Sequence, residues 1–533
     1  MHHALTISEI LYETFSYLPE FSPYLDVSYD NPGGSRGHKT LAALAVTCRT
    51  FRDPALAVRW RRLYGVKPLL FLFPTDIWLI SDDPDGDQDD VESKLARLPS
   101  KEEWIRFESY TAYIREILIG PGAFNGIVQV MAALSMKYLP HPSRHLFPKL
   151  QSLIWITQET TGLPLVHLFF PPSLRCLDLE FRGSMQLGVP AMLLLLEYQC
   201  PIFTQLRISG LDDDEQDVAT VSRALESRSW RQLETLHCTQ IDESALLHLA
   251  QLPTLKDLSI HLPGSVSTTV TSNKGFINLH TLSLVAEDIT AAIPFLWSAQ
   301  LLLKSLQITL SARKSQLLPL PLSSLQQLFS SISKGLSPTR LTQIEIRRWC
   351  DDQHFDITLD ITTLQPLLVF SKLKHVCLDD LCSFDLNDDA LTELANAWPH
   401  LEELVLNHCT GWRRTSGITF KGLASLLRAC PMLHTLALSI DATQLSFISS
   451  TSPGEVIQND RIKTIDLGDS IIENPAAVAL ILDDLFWALK HVDAWRMYSR
   501  GDEKLRYEPL WDEVNMHLLI GKSRKQHEAI VTR

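Results

Sequence analysis

Leu401-Glu402-Glu403-Leu404-Val405-Leu406-Asn407-His408-Cys409, followed by Gly422-Leu423-Ala424-Ser425-Leu426-Leu427-Arg428-Ala429-Cys430-Pro431, is the stretch that decides the fold of this chain. Its opening run spaces apolar residues as apolar-x-x-apolar-x-apolar, the signature of a short strand entered by a turn. The run that follows is apolar at helical spacing and ends at Pro431, which cannot continue a helix. The segment Leu391-Thr392-Glu393-Leu394-Ala395-Asn396-Ala397-Trp398-Pro399 has the same helical role in the preceding unit. Working outward, the six-residue pattern returns as Leu373, Val376, Leu378; Leu341, Ile344, Ile346; Leu303, Leu306, Ile308; Leu279, Leu282, Leu284; and Leu255, Leu258, Ile260. It continues back through Leu233, Leu236, Cys238; Phe203, Leu206, Ile208; Leu174, Leu177, Leu179; a stretched copy at Leu150, Leu153, Ile156; and Ile114, Ile117, Ile119. Forward it reaches Leu433, Leu436, Leu438; Ile462, Ile465, Leu467; and Leu489, Val492. Copies start about 22 to 38 residues apart, the period of a repeat solenoid in which neighbours share one core. The expected fold is α/β, a curved parallel sheet with outer helices.

The strand–turn–helix unit closed by Cys-Pro or Trp-Pro resembles the cysteine-containing leucine-rich repeat. In such strands side chains alternate faces, so the leucines point inward and the intervening residues line the concave sheet. That places Asp178, Glu180, Gln205, Arg207, His237, Asp257, His261, Glu345, Arg347 and Asp379 on the inner surface. Within Ile344-Glu345-Ile346-Arg347-Arg348-Trp349, arginines and a tryptophan are residue types enriched at binding hot spots. Arg207, His261, Glu345, Arg347, Arg348 and Asp379 are therefore the candidate substrate contacts, with Arg347 suited to an acidic or phosphorylated segment. The other reading packs Trp349 into the next turn and leaves the arginines solvated.

Three short helical patterns precede the repeats. Thr6-Ile7-Ser8-Glu9 has the form of a capping box ahead of the stripe Ile10, Leu11, Phe15, Leu18. Leu41, Leu44, Ala45 and Cys48 mark a second helix; Asp53 and Pro54 mark the expected start of a third, with Leu56, Trp60 and Leu63 on one side. So small a module either caps the solenoid or presents apolar residues to a partner.

The blocks Ser8-Glu9-Ile10-Leu11-Tyr12-Glu13-Thr14-Phe15-Ser16-Tyr17-Leu18, Leu44-Ala45-Val46-Thr47-Cys48-Arg49-Thr50-Phe51 and Val58-Arg59-Trp60-Arg61-Arg62-Leu63 resemble an F-box, in order, across about residues 5 to 63. With the repeats, most of the chain resembles fungal-type F-box proteins with leucine-rich repeats. The resemblance implies docking on the Skp-type adaptor of a cullin-based (SCF) ubiquitin ligase, with an unknown protein substrate held by the repeats. It implies that Ile10, Leu11, Phe15, Leu18, Val46, Cys48 and Trp60 serve the module core and the adaptor contact. Two features depart from the family: Leu5-Thr6-Ile7-Ser8 replaces the usual Leu-Pro entry, and Pro19 to Lys39 is a longer insert between the first two helices. The expected organisation is 1–64 F-box, 65–108 linker, 109–500 repeats and 501–533 a C-terminal tail.

Composition narrows the function classes. A net charge of -14 argues against a protein that coats nucleic acid or anionic lipid. The nine cysteines are scattered, several at apolar repeat positions, and read as reduced core thiols of a cytoplasmic or nuclear protein. The longest apolar run, Leu69 to Ile80, is cut by Pro74 and Asp76. The acidic run Ser81 to Glu92 aligns poorly with a calcium loop, because Ser81 and Gln88 occupy the wrong positions, and reads as a solvated spacer. Cys377, Cys382 and His375 lack a fourth metal ligand and fall in repeat phase. No nucleotide loop, hydrolase elbow or zinc-protease motif occurs in the sequence. The sequence therefore leads to a non-catalytic binding protein with no metal and no cofactor. The alternative is a plain repeat scaffold whose N-terminal helices only cap it.

Overall fold

The computed structural model describes residues 6–18, 36–79, 94–120, 127–138, 145–157, 166–181, 189–210, 215–226, 230–262, 275–298, 301–311, 320–349, 357–408, 411–445, 458–495 and 501–531. The acidic run from Ser81, most of the insert after Pro19, Cys350, Cys409 and the side chain of Trp349 lie outside the described residues. The chain forms two compact units, Met1–Leu255 and Lys256–Arg533.

The first unit opens with three helices: α1 (Ser8–Ser16), α2 (Arg36–Thr47) and α3 (Arg49–Arg59). Leu11, Phe15, Leu41, Ala55 and Val58 form their shared core. Phe15 meets Phe51 edge-on at 5.6 Å between ring centroids. Two helix starts differ from the sequence reading. The cap of α1 is Ile7, extended and without a side-chain cap bond, so Thr6 is not the capping residue. The start of α3 is Arg49, not Pro54, because the Cys48 carbonyl already accepts from the Phe51 and Arg52 amides, each at 3.2 Å. Pro54 thus sits inside the helix, buried, and leaves one backbone bond unmade.

The parallel sheet of this unit begins earlier than the first repeat pattern predicts. Its strands are Arg62–Tyr64, Glu116–Ile119, Ser152–Thr157, Cys176–Phe181, Gln205–Ser209 and Thr235–Gln240, each paired in parallel with the next. The first lies in the segment read as the end of the helical module. One register row runs Leu63, Ile117, Leu153, Leu177, Leu206, Leu236, so a single position of the six-residue pattern builds one ridge of the core. The stretched copy is in fact regular: Trp155, not Ile156, pairs with Leu179 and is fully buried. A capping box does occur, at Ser100 and Glu103, starting the helix Lys101–Thr111 that feeds the second strand.

In the second unit the strands are Asp257–His261, Thr281–Ala286, Ser305–Ser311, Gln343–Trp349, His375–Asp379, Glu403–Leu406, Thr435–Ala437, Thr464–Asp466 and His491–Asp493, again all parallel to their neighbours. Leu258, Leu282, Leu306, Ile344, Val376, Leu404 and Leu436 form the corresponding row, all buried. The helices Asp388–Ala397 and Phe420–Ala429 pack side by side behind the sheet. The Cys-Pro and Trp-Pro positions work as their residue types demand. Cys430 is buried with its thiol 3.4 Å from the Trp398 carbonyl, and Trp398 is itself buried.

The segment read as a C-terminal tail is a helix, Gly501–Val531. It buries Trp511, Val514 and Leu518 and packs on the helix Pro475–Leu485. Its Asn515 takes the place of a further strand: Oδ1 accepts from the Val492 amide at 2.8 Å, and Nδ2 donates to the Val492 carbonyl at 2.9 Å. A sheet edge is thereby satisfied instead of left open. Among the described residues no helix is long and apolar enough to cross a membrane.

Candidate functional site

Two surfaces carry the residues singled out by sequence. On the helical module the structure separates interior from exterior. Leu11 and Phe15 are core, 1% and 6% exposed, and Leu18 packs against them. Ile10 and Val46 face solvent at 43% and 85% exposure. Tyr17, at 78%, joins them; the sequence signal for it was its position seven residues after Ile10, on the same helical face. Cys48 is half-buried at the cap of α3. Trp60 turns the other way, meeting Tyr110 of the following helix edge-on at 5.1 Å. Further ties to the rest of the first unit are Tyr113 Oη donating to Asp53 Oδ1 at 3.1 Å and Arg61 Nη1 donating to Tyr12 Oη at 2.7 Å.

The second surface is the open face of each sheet, opposite the buried leucine rows. Alternation holds strand by strand: buried and accessible residues follow one another with a period of two in Cys176–Phe181, Gln205–Ser209, Asp257–His261, Thr281–Ala286 and Ser305–Ser311. Arg207 sits on this face of the first unit in a row with Asp178 and His237. His261, Glu345, Arg347 and Asp379 sit on it in the second unit, Arg347 between Thr309 and Asp379. Arg348 does not. It pairs with Leu310, a core residue, so the period of two places it on the opposite face.

The two open faces differ electrically. In the first unit, opposite charges alternate: Arg62 and Glu116 form an ion pair at 2.5 Å, and Arg207 lies among Asp178 and Glu180. In the second unit the described strand residues of this face include six carboxylates, Asp257, Glu345, Asp379, Glu403, Asp466 and Asp493, against one guanidinium, Arg347. Arg347 is already engaged: its Nε lies 2.7 Å from Glu345 Oε1, an ion pair that lacks hydrogen-bond alignment. Gln307 Nε2 reaches the other oxygen of Glu345 at 3.4 Å. Between Glu345 and Asp466 runs a neutral row of small side chains, Cys377, Val405 and Ala437, packed together and nearly buried.

At the far end of that row Asp466 is crowded. Burial pushes its carboxyl up to about 7; the Gly468 amide and His408 pull the other way, while Asp493 and Asp379 add to the rise. His408 Nε2 lies 3.8 Å from Asp466, and the His408 amide donates to Asp379 Oδ1 at 2.7 Å. His491 and Asp493 approach to 3.2 Å.

The turn beyond these strands is built by Asn407 in the left-handed region at φ 63°. Its Nδ2 donates to the carbonyls of Cys382 and Gly411, and its Oδ1 accepts from the Asp380 amide. Among the described residues Cys200, Cys238, Cys377, Cys382 and Cys430 are core thiols, whereas Cys48 and Cys176 are half-buried; burial pushes Cys200, Cys238 and Cys377 up to about 12 and raises Cys382 further. A protonated, desolvated thiol is a poor nucleophile and a poor metal ligand. Among the described residues no group of three or more His, Cys, Asp or Glu is arranged to hold a metal ion.

No family model matches the chain, and no curated protein matches it. Among solved structures it is similar to one described as the crystal structure of the Rad7 and Elc1 complex in yeast, at 14% identity over 56% of this chain and 77% of that one, with a TM-score of 0.32. A likeness that distant carries no argument about function.

Proposed function

We propose that this chain is the substrate-recognition subunit of an SCF-type ubiquitin ligase. Its N-terminal helices dock a Skp-type adaptor of a cullin complex, and the open sheet face holds a protein substrate. The chain itself contributes no catalytic residue; it acts by holding a substrate lysine near the loaded conjugating enzyme, converting an encounter into an effectively intramolecular step. Such work belongs in the cytoplasm or nucleus.

One observation supports this reading above others. The first F-box-like block falls on α1, the second spans the end of α2 and the start of α3, and the third runs from the last turn of α3 into the strand Arg62–Tyr64; the three helices close on a common core yet leave Ile10, Tyr17 and Val46 turned outward. The bonds from Asp53, Tyr12 and Trp60 to the rest of the unit support a second reading, in which the helices only cap a scaffold. The two separate cleanly by substitution in the full chain. Burying a large apolar side chain is worth roughly 1.5–3 kcal/mol, so Val46→Asp should weaken adaptor binding at least about tenfold with the melting curve unchanged. Leu11→Asp, inside the core, should instead unfold the module. A folded chain that never binds adaptor in calorimetry leaves the capping scaffold as the answer.

A further inference from the structure

We propose that the solvent face of the helix Gly501–Val531 is a self-association surface, covered by the same helix of a second copy of this chain running antiparallel to it. The inference stands apart from the ligase reading and concerns the second unit alone.

This helix seats Trp511, Val514 and Leu518 on the unit it closes. At about 100° per residue, Leu505, Pro509, Asp512, Met516 and Ile520 fall within about 80° of arc on the opposite side. All five are exposed, Leu505 at 75%, Met516 at 57% and Ile520 at 53%. An element that closes a solenoid edge needs a polar outer face, because water is its neighbour there. This one is apolar at four of the five positions, along about 23 Å of helix at about 1.5 Å per residue. A continuous apolar stripe of that length, rimmed by charge, marks a contact surface. Its steps of four, three, four and four residues are those of a seam between two helices.

Charge selects the occupant and its direction. On the flanks of the stripe the charges are matched within the helix: Lys504 lies 3.6 Å from Glu508, and His517 lies 3.4 Å from Glu513. Asp512, in the middle of the stripe, makes no ion pair among the described residues. A lone charge in an apolar seam fixes the register and direction of the partner helix. In a parallel, in-register pair Asp512 meets the Asp512 of the other copy, a repulsive juxtaposition. In an antiparallel pair that sets Met516 against Ile520, Asp512 of each copy comes opposite the basic turn Lys522-Ser523-Arg524-Lys525 of the other. Met516 then faces Ile520 and Ile520 faces Met516, so the contact is isologous and closes on two chains. One helix thus carries the stripe, the unmatched carboxylate and the basic turn at mutually fitting distances, which favours a second copy over an unrelated helix.

The test is sedimentation velocity on the full chain between about 1 and 50 micromolar, where the parent should pass from the mass of one chain to that of two. Met516→Glu with Ile520→Glu should raise the dissociation constant at least tenfold. Tyr198→Glu, at an aromatic side chain 87% exposed on the helix Val189–Gln199 of the first unit, should leave it unchanged. Asp512→Asn keeps the side-chain shape, removes the charge and should weaken association at least threefold, whereas in a parallel pair it would tighten it. Melting curves establish that each variant is folded, and Met516→Gln with Ile520→Gln replaces the glutamate pair should that pair disturb the helix. A parent that stays monomeric throughout, a dimer indifferent to positions 516 and 520, or a dimer tightened by Asp512→Asn overturns the proposal.

Discussion

Replacing Asn407 by alanine tests how the repeat turns are held. The side chain is buried and makes three hydrogen bonds: Nδ2 to the Cys382 carbonyl at 2.7 Å and to the Gly411 carbonyl at 2.8 Å, and Oδ1 from the Asp380 amide at 3.1 Å. Asp380 is half-buried and its amide can rehydrate, so the loss concentrates on the two carbonyls. At about 1–3 kcal/mol for each buried group left unmade, that is about 2–6 kcal/mol. Alanine also takes on the left-handed backbone at φ 63°, which costs a residue with a Cβ about 1–2 kcal/mol. Asn407→Ala should therefore destabilise the region by about 3–8 kcal/mol. Asn407→Gly keeps the backbone unstrained and should fall about 1–2 kcal/mol short of that. Native-state hydrogen exchange reads the opening energy of the strands His375–Asp379 and Glu403–Leu406 directly. A loss below about 1 kcal/mol for alanine, or no gap between alanine and glycine, would show that the turn is held by something other than the Asn407 amide.

Asp466 should destabilise the fold at alkaline pH. Its folded pKa, pushed up to about 7, lies above the ordinary carboxylate value, so the fold prefers the protonated form. The penalty is absent below about pH 4, grows as pH rises toward 7 and is full above it. Asp466→Asn should then melt higher than the parent at pH 8 and match it at pH 4; a difference independent of pH would contradict this. Close by, at the C-terminal end of the second unit, Trp511 is buried and donates from Nε1 to the Ser470 carbonyl at 2.9 Å. Trp511→Ala should cost about 3–5 kcal/mol and expose the last strand to exchange, whereas retained protection of Val492 would mean the helix Gly501–Val531 is not what closes that edge.

The repeat pattern was legible because a strand's two faces are written into a period of two and a buried ridge needs the same position filled in every copy. Leu63 to Leu236, and Leu258 to Leu436, are such ridges, and Trp155 shows that the pattern is about burial and not about leucine. The same alternation places Arg348 off the open face, a consequence the residue types at Arg347 and Arg348 had obscured. Tyr17 was within reach of helical spacing. The helix starts were not: a Thr-x-x-Glu at Thr6 and a Pro at position 54 are local preferences worth about 1 kcal/mol or a few, and packing overrode both.

By itself, then, the sequence determined the parallel strand–helix repeats, the separate helical start and the buried thiols, because each follows from which residues water excludes at fixed spacing. What only tertiary structure decided is where order meets its ends and which charges are spent. Arg62–Tyr64 becomes a strand because Glu116–Ile119 offers it a ladder, and Gly501–Val531 becomes a closing helix because Asn515 finds the bare backbone of Val492. The sign of the open face changed in the same way. Arg347 advertises a cation in the sequence, but Glu345, two residues earlier and so on the same face, holds it at 2.7 Å, while strands separated by tens of residues set Asp466 beside Asp493. Pairing of this kind depends on register between distant segments, and register is a property of the folded sheet.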